Sequence, residues 1–175
     1  MKDFFTSLQA QFCGFYNTPH LFLNPVNGMQ PLRLPKQKTP VFSGSGLERI
    51  RLGQRVERFV TTELLLNKNF SILTENPQIQ TKNNQTIGEL DCLFLDSNQP
   101  IHLEIQFKFY LYDETLGDKE IDCCIGPMRR DSLIEKLNKL KLKQLPLLYA
   151  PETKALLNSL NFKAEDFKQE IYFKA

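Results

Sequence analysis

Long apolar runs, histidines and paired cysteines are what this sequence has least of, and each shortage removes a class of explanation. No apolar stretch in the 175 residues approaches the ~20 needed to span a bilayer. The opening Met1-Lys2-Asp3-Phe4-Phe5 carries an early acid and no sustained apolar core, so no secretory signal is expected and the expected address is the cytoplasm. His20 and His102 are the only histidines, Cys13 and Cys92 are isolated, and Cys123 and Cys124 are adjacent without any C-x-x-C pair. Neither a structural zinc site nor a disulfide framework is expected from that set, and the cysteines read as small buried hydrophobes. Charge excess is missing too. A net charge of +2 announces no nucleic-acid partner by itself, so a basic surface has to be sought in the local pattern.

What is present is an ordinary globular composition, most economically one core. Residues 1–46 are rich in Pro, Gly, Asn and Gln, and Pro19, Pro25, Pro31, Pro35 and Pro40 break any long element. They predict an N-terminal arm packed on the domain, with a short helix near Phe4–Phe12. Residues 47–175 predict the domain proper. A helix from about Gly46 to Asn67 is marked by Leu52, Val56, Phe59, Val60 and Leu66. Strands follow at Phe70–Gln80, Thr86–Leu95 and Ile101–Leu111, the last two forming an antiparallel hairpin across Asp96-Ser97-Asn98-Gln99-Pro100. A second helix runs from beyond Pro127 to about Gln144 with Leu133, Leu137 and Leu140 buried. A short helix near Glu152–Leu160 and a strand at Glu170–Lys174 close the chain. That strand has no polar tail behind it, so a natural chain continuing past Ala175 is expected.

The hairpin carries the chemistry. Side chains alternate across a strand, so residues two apart share a face. In Ile101–Leu111 the odd positions are all apolar, while the even ones are His102, Glu104, Gln106, Lys108 and Tyr110. Such alternation ordinarily means a half-solvated strand. The neighbouring strand argues for more, because Asp91 stands among Leu90, Cys92, Leu93 and Phe94, a costly setting for a carboxylate without a cation or donor nearby. Asp91 and Glu104 are expected to converge, and converging carboxylates repel unless something positive sits between them. Lys108 would supply that charge structurally. A divalent metal would supply it with function, since magnesium needs only one or two carboxylates and keeps several waters. Gln144 is placed to reach this face, whereas His102 and Tyr110 read as bystanders.

An acid in one strand, a turn, then Glu104-Ile105-Gln106 resembles the PD-(D/E)XK nuclease superfamily, with Asp91 in the aspartate place. Gly53-x-x-x-Glu57-Arg58 is similar to the helix of archaeal Holliday-junction resolvases, where the glutamate joins the metal site. Gly88-Glu89-Leu90-Asp91, His102-x-Glu104-x-x-x-Lys108-Phe109-Tyr110-Leu111, Gly126-Pro127 with Asp131-x-Leu133, and Gln144-Leu145-Pro146-Leu147 look like an uncharacterised bacterial family placed in that superfamily. The likeness runs from about Leu52 to Leu147. It implies an α/β domain with a restriction-endonuclease-like core of helix, three strands, helix and strand, a mixed sheet and extra helices. It also implies a nuclease hydrolysing nucleic-acid phosphodiesters with Mg2+ or Mn2+ held by Asp91, Glu104 and Glu57. The lysine usual two residues after the glutamate is Gln106 here, and Lys108 follows on the same face, so these two take the positioning role. Arg129, Lys136, Lys139 and Lys143 flank the second helix's apolar stripe and would meet phosphates of the nucleic-acid partner, DNA first. The alternatives are a catalytically inactive nuclease-fold module binding nucleic acid or protein, and a structural domain in which Lys108 neutralises the acids.

Overall fold

The computed structural model describes residues 7–38, 40–43 and 50–175. Its elements in chain order are α1 (Leu8–Asn17), β1 (Gln30–Pro31), α2 (Leu52–Leu65), β2 (Phe70–Glu75), β3 (Gln78–Gln80), β4 (Thr86–Glu89), β5 (Cys92–Asp96) and β6 (Gln99–Phe107). There follow β7 (Leu111–Tyr112), β8 (Cys124–Ile125), α3 (Leu133–Lys139), α4 (Lys154–Ser159) and β9 (Lys168–Lys174). The architecture is α/β. A mixed five-stranded sheet runs in the order β1-β9-β6-β5-β2, and the pairs β3–β4 and β7–β8 form separate ribbons.

The β5–β6 hairpin forms as its pattern predicts, closed by Ser97 and Asn98 between the paired Asp96 and Gln99. Ser97 takes φ 56°, the left-handed conformation that lets so short a loop follow the strand twist. β6 then pairs in parallel with β9. Parallel neighbours need a long crossover, and the segment carrying α3 and α4 provides it. One face of the sheet presents Ile101, Leu103, Ile105, Phe94 and Tyr172 to α2 (Val56, Phe59, Val60, Leu64) and to Phe12 and Phe15 of α1. On the other face Ile171 and Phe173 lie under Leu133, Leu137 and Leu140, the stripe the spacing predicts. Further along that face Leu93 meets Leu148, Leu157 and Phe167.

Both of the first two predicted strands break, and for one reason. Asn76 adopts φ 51° and Pro77 has no N–H to give to a ladder, so the ribbon bends there. Opposite the bend lie Leu90 and Asp91: Asn76 donates to the Asp91 carbonyl at 3.0 Å, and Leu90 donates to the Pro77 carbonyl at 3.2 Å. The outer half, β3–β4, swings away and buries Ile79 and Leu90 against Leu148 and Leu157. Glu89 goes with it and is exposed, so it does not share a sheet face with Leu93. Similarly β6 stops at Phe107, short of the expected Leu111.

The helices also differ in extent. α1 begins after a Ser7 cap and ends at Asn17, later than the expected Phe12; Phe4 and Phe5 lie outside the described residues. So does Gly46, the expected start of α2, whose Leu52 is exposed in the first turn rather than in the core. α3 is started by a reciprocal Ser132–Glu135 cap. Instead of continuing regularly to Gln144 it widens into a π-helical turn, Leu140–Gln144, and tightens into a 3-10 turn, Leu145–Tyr149. α4 is shorter than the expected Glu152–Leu160 helix.

Candidate active site

The even-numbered face of β6 is not half-solvated. His102 and Glu104 are wholly buried and Gln106 is 8% exposed, because α3 and the turns after it cover this side of the sheet. A buried polar row has to find partners inside the protein. Glu104 finds two. Its Oε1 lies 3.0 Å from His102 Nε2, and its Oε2 accepts from Gln144 Nε2 at 2.7 Å.

The surroundings determine which atoms carry protons. Gln169 Nε2 donates to the Leu145 carbonyl at 2.6 Å, and the same amide nitrogen lies 2.9 Å from His102 Nδ1. That leaves His102 Nδ1 as acceptor and Nε2–H as the donor to Glu104. Burial lowers the His102 pKa to about 4, so the contact with Glu104 is a hydrogen bond to a neutral ring rather than an ion pair. At the other end Lys136 Nζ donates to Gln144 Oε1 at 3.1 Å, which fixes the Gln144 amide with its NH2 toward Glu104. One chain of contacts therefore runs Gln169, His102, Glu104, Gln144, Lys136, from β9 across β6 to α3.

Asp91 joins this chain because of the ribbon's bend. The β5–β6 ladder ends at Cys92 opposite Leu103, leaving the Ile105 N–H without a backbone acceptor from β5. Asp91 Oδ2 takes that place at 2.7 Å. Burial and the neighbouring Glu104 carboxylate push the Asp91 pKa up to about 7. Glu104 rises to about 7 as well, chiefly through burial, against the opposing pull of Lys136 and its hydrogen-bond donors. Two acids in contact, both reluctant to ionise, behave as a pair that holds a proton or a cation between them.

Glu57, on α2, stands at the edge of the pair. Its Oε2 accepts from Asn76 Nδ2 at 2.8 Å, and its pKa is raised by burial and by the charges of Asp91 and Glu89. Among the described residues no group of three His, Cys, Asp or Glu side chains is arranged to hold a metal ion. Asp91 and Glu104 thus form a two-carboxylate set with Glu57 flanking it.

Lys108 and Tyr110 lie past the end of β6 and do not extend the row. Lys108 Nζ is 2.7 Å from Asp131, and both side chains are near 40% exposed (43% and 42%). The Gly126 turn explains the tie. A Cβ at Gly126 would sit 2.0 Å from Asp131 Oδ1 and 3.2 Å from the Asp131 carbonyl, so glycine makes room for the carboxylate that reaches Lys108. Tyr110 has its hydroxyl buried with no hydrogen-bond partner among the described residues. The expected basic flank divides. Arg129 is not on the helix: it precedes α3 in a turn at φ 55° and pairs with Asp113 at 2.7 Å. Lys139 and Lys143 are exposed, while Lys136 is partly buried against the acids.

Glu63, buried on α2, belongs to the opposite sheet face. It bonds the Tyr172 hydroxyl and lies 3.4 Å from Lys174, whose ammonium also donates to the Phe15 and Tyr16 carbonyls at 3.1 Å each. That cluster is closed on itself and ties the last strand to α1 and α2. Sequence reading missed Gln169, and it set aside as a bystander His102, which is wholly buried against Glu104. The predicted strand started one residue later, and the parallel register that places Gln169 opposite His102 is set by the fold, not by the local pattern.

A family model described as a domain of unknown function, DUF1853, matches residues 34–175. The chain belongs to the DUF1853 family. The matched span takes in α2, every strand except β1, and all the residues of the Asp91–Glu104 site. Gly88 and Leu147, from two separate sequence motifs, touch within it: a Cβ on Gly88 would lie 2.6 Å from Leu147 Cδ2. No curated protein and no solved structure matches the chain.

Proposed function

We propose that this DUF1853 domain is a metal-dependent nuclease of restriction-endonuclease-like type that hydrolyses nucleic-acid phosphodiester bonds. The observation that carries the reading is the Asp91–Glu104 pair. The two carboxyls are side by side and largely buried, and among the described residues neither forms an ion pair with a lysine or arginine. A buried pair of this kind fits a divalent cation, which would offset the burial that raises both pKa values and the charge of Glu104 that adds to the rise at Asp91. Magnesium or manganese would be held by Asp91 and Glu104 with Glu57 alongside, consistent with a hard cation that retains most of its waters. When bound, the ion would acidify a water and polarise a phosphoryl oxygen.

The order α2, β2, β5, β6, α3, β9 supports the restriction-endonuclease-like reading of the core. The chain's own residues then have distinct tasks. His102 and Gln144 orient Glu104 through both of its oxygens, and the Ile105 N–H orients Asp91. Gln106, on the same buried face, would align the attacking water, with Lys108 the amine that the end of the strand offers. Lys139 and Lys143, with Arg129, would meet backbone phosphates without reading sequence.

The second reading, a catalytically inactive nuclease-fold module binding nucleic acid or protein, is favoured by the same hydrogen bonds, since both Glu104 oxygens are already engaged. Cleavage of single-stranded, duplex and branched DNA with Mg2+ or Mn2+ separates the two. The nuclease reading expects cleavage by the wild type and none by Asp91→Ala or Glu104→Ala. Binding without cleavage, with affinity falling steeply in salt, supports the module instead.

A further inference from the structure

We propose that the amine of this site comes from helix α3: Lys136, rather than Lys108, faces the reacting phosphate and stabilises the charge that develops on it. The inference rests on the nuclease reading and adds to it a residue outside the strand motif.

The two lysines are placed very differently. Lys108 is past the end of β6 and neutralised by Asp131 at 2.7 Å, in an ion pair that is near half exposed on both sides. Lys136 lies one hydrogen-bonded residue from Glu104, through Gln144 at 3.1 Å and 2.7 Å. Its charge is felt by both acids: it opposes the rise at Asp91 and is the largest influence opposing the rise at Glu104. No ion pair within 4.0 Å ties it to an acid among the described residues, so its hydrogens are not committed to a carboxylate.

The backbone is shaped to produce this. In an unbroken α-helix residues 136 and 144 would point about 80° apart, given 3.6 residues per turn. The π-helical turn Leu140–Gln144 advances each residue by a smaller angle and brings Gln144 round to the side of Lys136. Leu137 and Leu140 on the adjacent stripe are fully buried and hold the helix backbone that carries both residues against the sheet.

In the reaction the oxygen of water bonds to phosphorus and the ester P–O bond breaks, its electron pair leaving with the ester oxygen. The attacking water's second proton passes to bulk water and the leaving oxygen takes one back. Lys136 begins and ends as an ammonium, hydrogen-bonded to a non-bridging oxygen whose charge grows in the transition state.

The test compares wild type, Lys136→Met, Lys136→Ala, Lys108→Met and Asp91→Asn on bis(p-nitrophenyl) phosphate and on end-labelled DNA, with Mn2+. Lys136→Met is expected to lower kcat by about 100-fold or more with little change in KM. It should keep the wild-type rise in melting temperature with Mn2+, which shows that fold and cation site survive. Methylammonium should restore part of the Lys136→Ala rate, an effect that a merely structural lysine would not show. Lys136→Met at the wild-type rate, or a comparable loss in Lys108→Met alone, overturns the assignment while leaving the nuclease reading standing. A wild type that cleaves neither substrate, or an Asp91→Asn that cleaves both, overturns the nuclease reading and the role of Lys136 with it.

Discussion

Replacing Asp91 by asparagine should change how stability depends on pH, and the size of the change follows from the site. In the metal-free fold Asp91 is raised from 3.8 to about 7 and Glu104 from 4.5 to about 7. A carboxyl whose pKa is raised by folding binds its proton more tightly in the native state than in the unfolded one. Its contribution is therefore fully present below the unfolded pKa, near 4, and is lost as the pH climbs toward 7. Asp91's own rise of roughly three pH units is worth about 4 kcal/mol at 1.36 kcal/mol per unit. His102 and His20, both lowered to about 4 by burial, slope the other way. The informative quantity is thus the difference between proteins, in which those terms cancel. Asparagine keeps an oxygen for the Ile105 N–H and removes the like charge. Urea unfolding in EDTA should show the stability of wild type minus that of Asp91→Asn falling by about 3 kcal/mol between about pH 4.5 and about pH 8. A flat difference across that range would refute the raised pKa of Asp91 in this buried site.

Two further outcomes test the surrounding structure. Long-range nitrogen–proton NMR should find His102 protonated on Nε2 and not on Nδ1, staying neutral until the pH nears about 4, since burial lowers its pKa; a ring that titrates near its ordinary value contradicts the Gln169–His102–Glu104 chain. Lys174→Met should cost about 3–5 kcal/mol in urea unfolding, because it strands the Glu63 carboxylate in the core, and adding Glu63→Gln should recover part of that.

Much of this was legible in the chain. The two-residue alternation from Ile101 gave the hairpin, the Leu133, Leu137 and Leu140 spacing gave the buried face of α3, and Asp91 among apolar neighbours pointed to the acid pair. What alternation could not show was that the polar row is roofed. A strand with one polar face reads the same whether water or a helix lies above it, so the half-solvated expectation failed only once α3 was in place. The split of both outer strands turned on Asn76, whose left-handed conformation is a local choice that hydrophobic patterning does not register. Lys136 was visible only as one charge of a basic flank, because the π-helical turn that aligns it with Gln144 interrupts a segment whose spacing reads as regular helix.

The most direct measurement of the central claim is a Mn2+ and Mg2+ titration of unfolding at neutral pH, in wild type and Asp91→Asn. A cation seated between Asp91 and Glu104 binds the native state alone, so wild type should gain about 2.7 kcal/mol at a free ion concentration 100 times the Kd, and Asp91→Asn should gain far less. Equal gains in the two proteins, or no gain in either, would contradict a cation site at this pair.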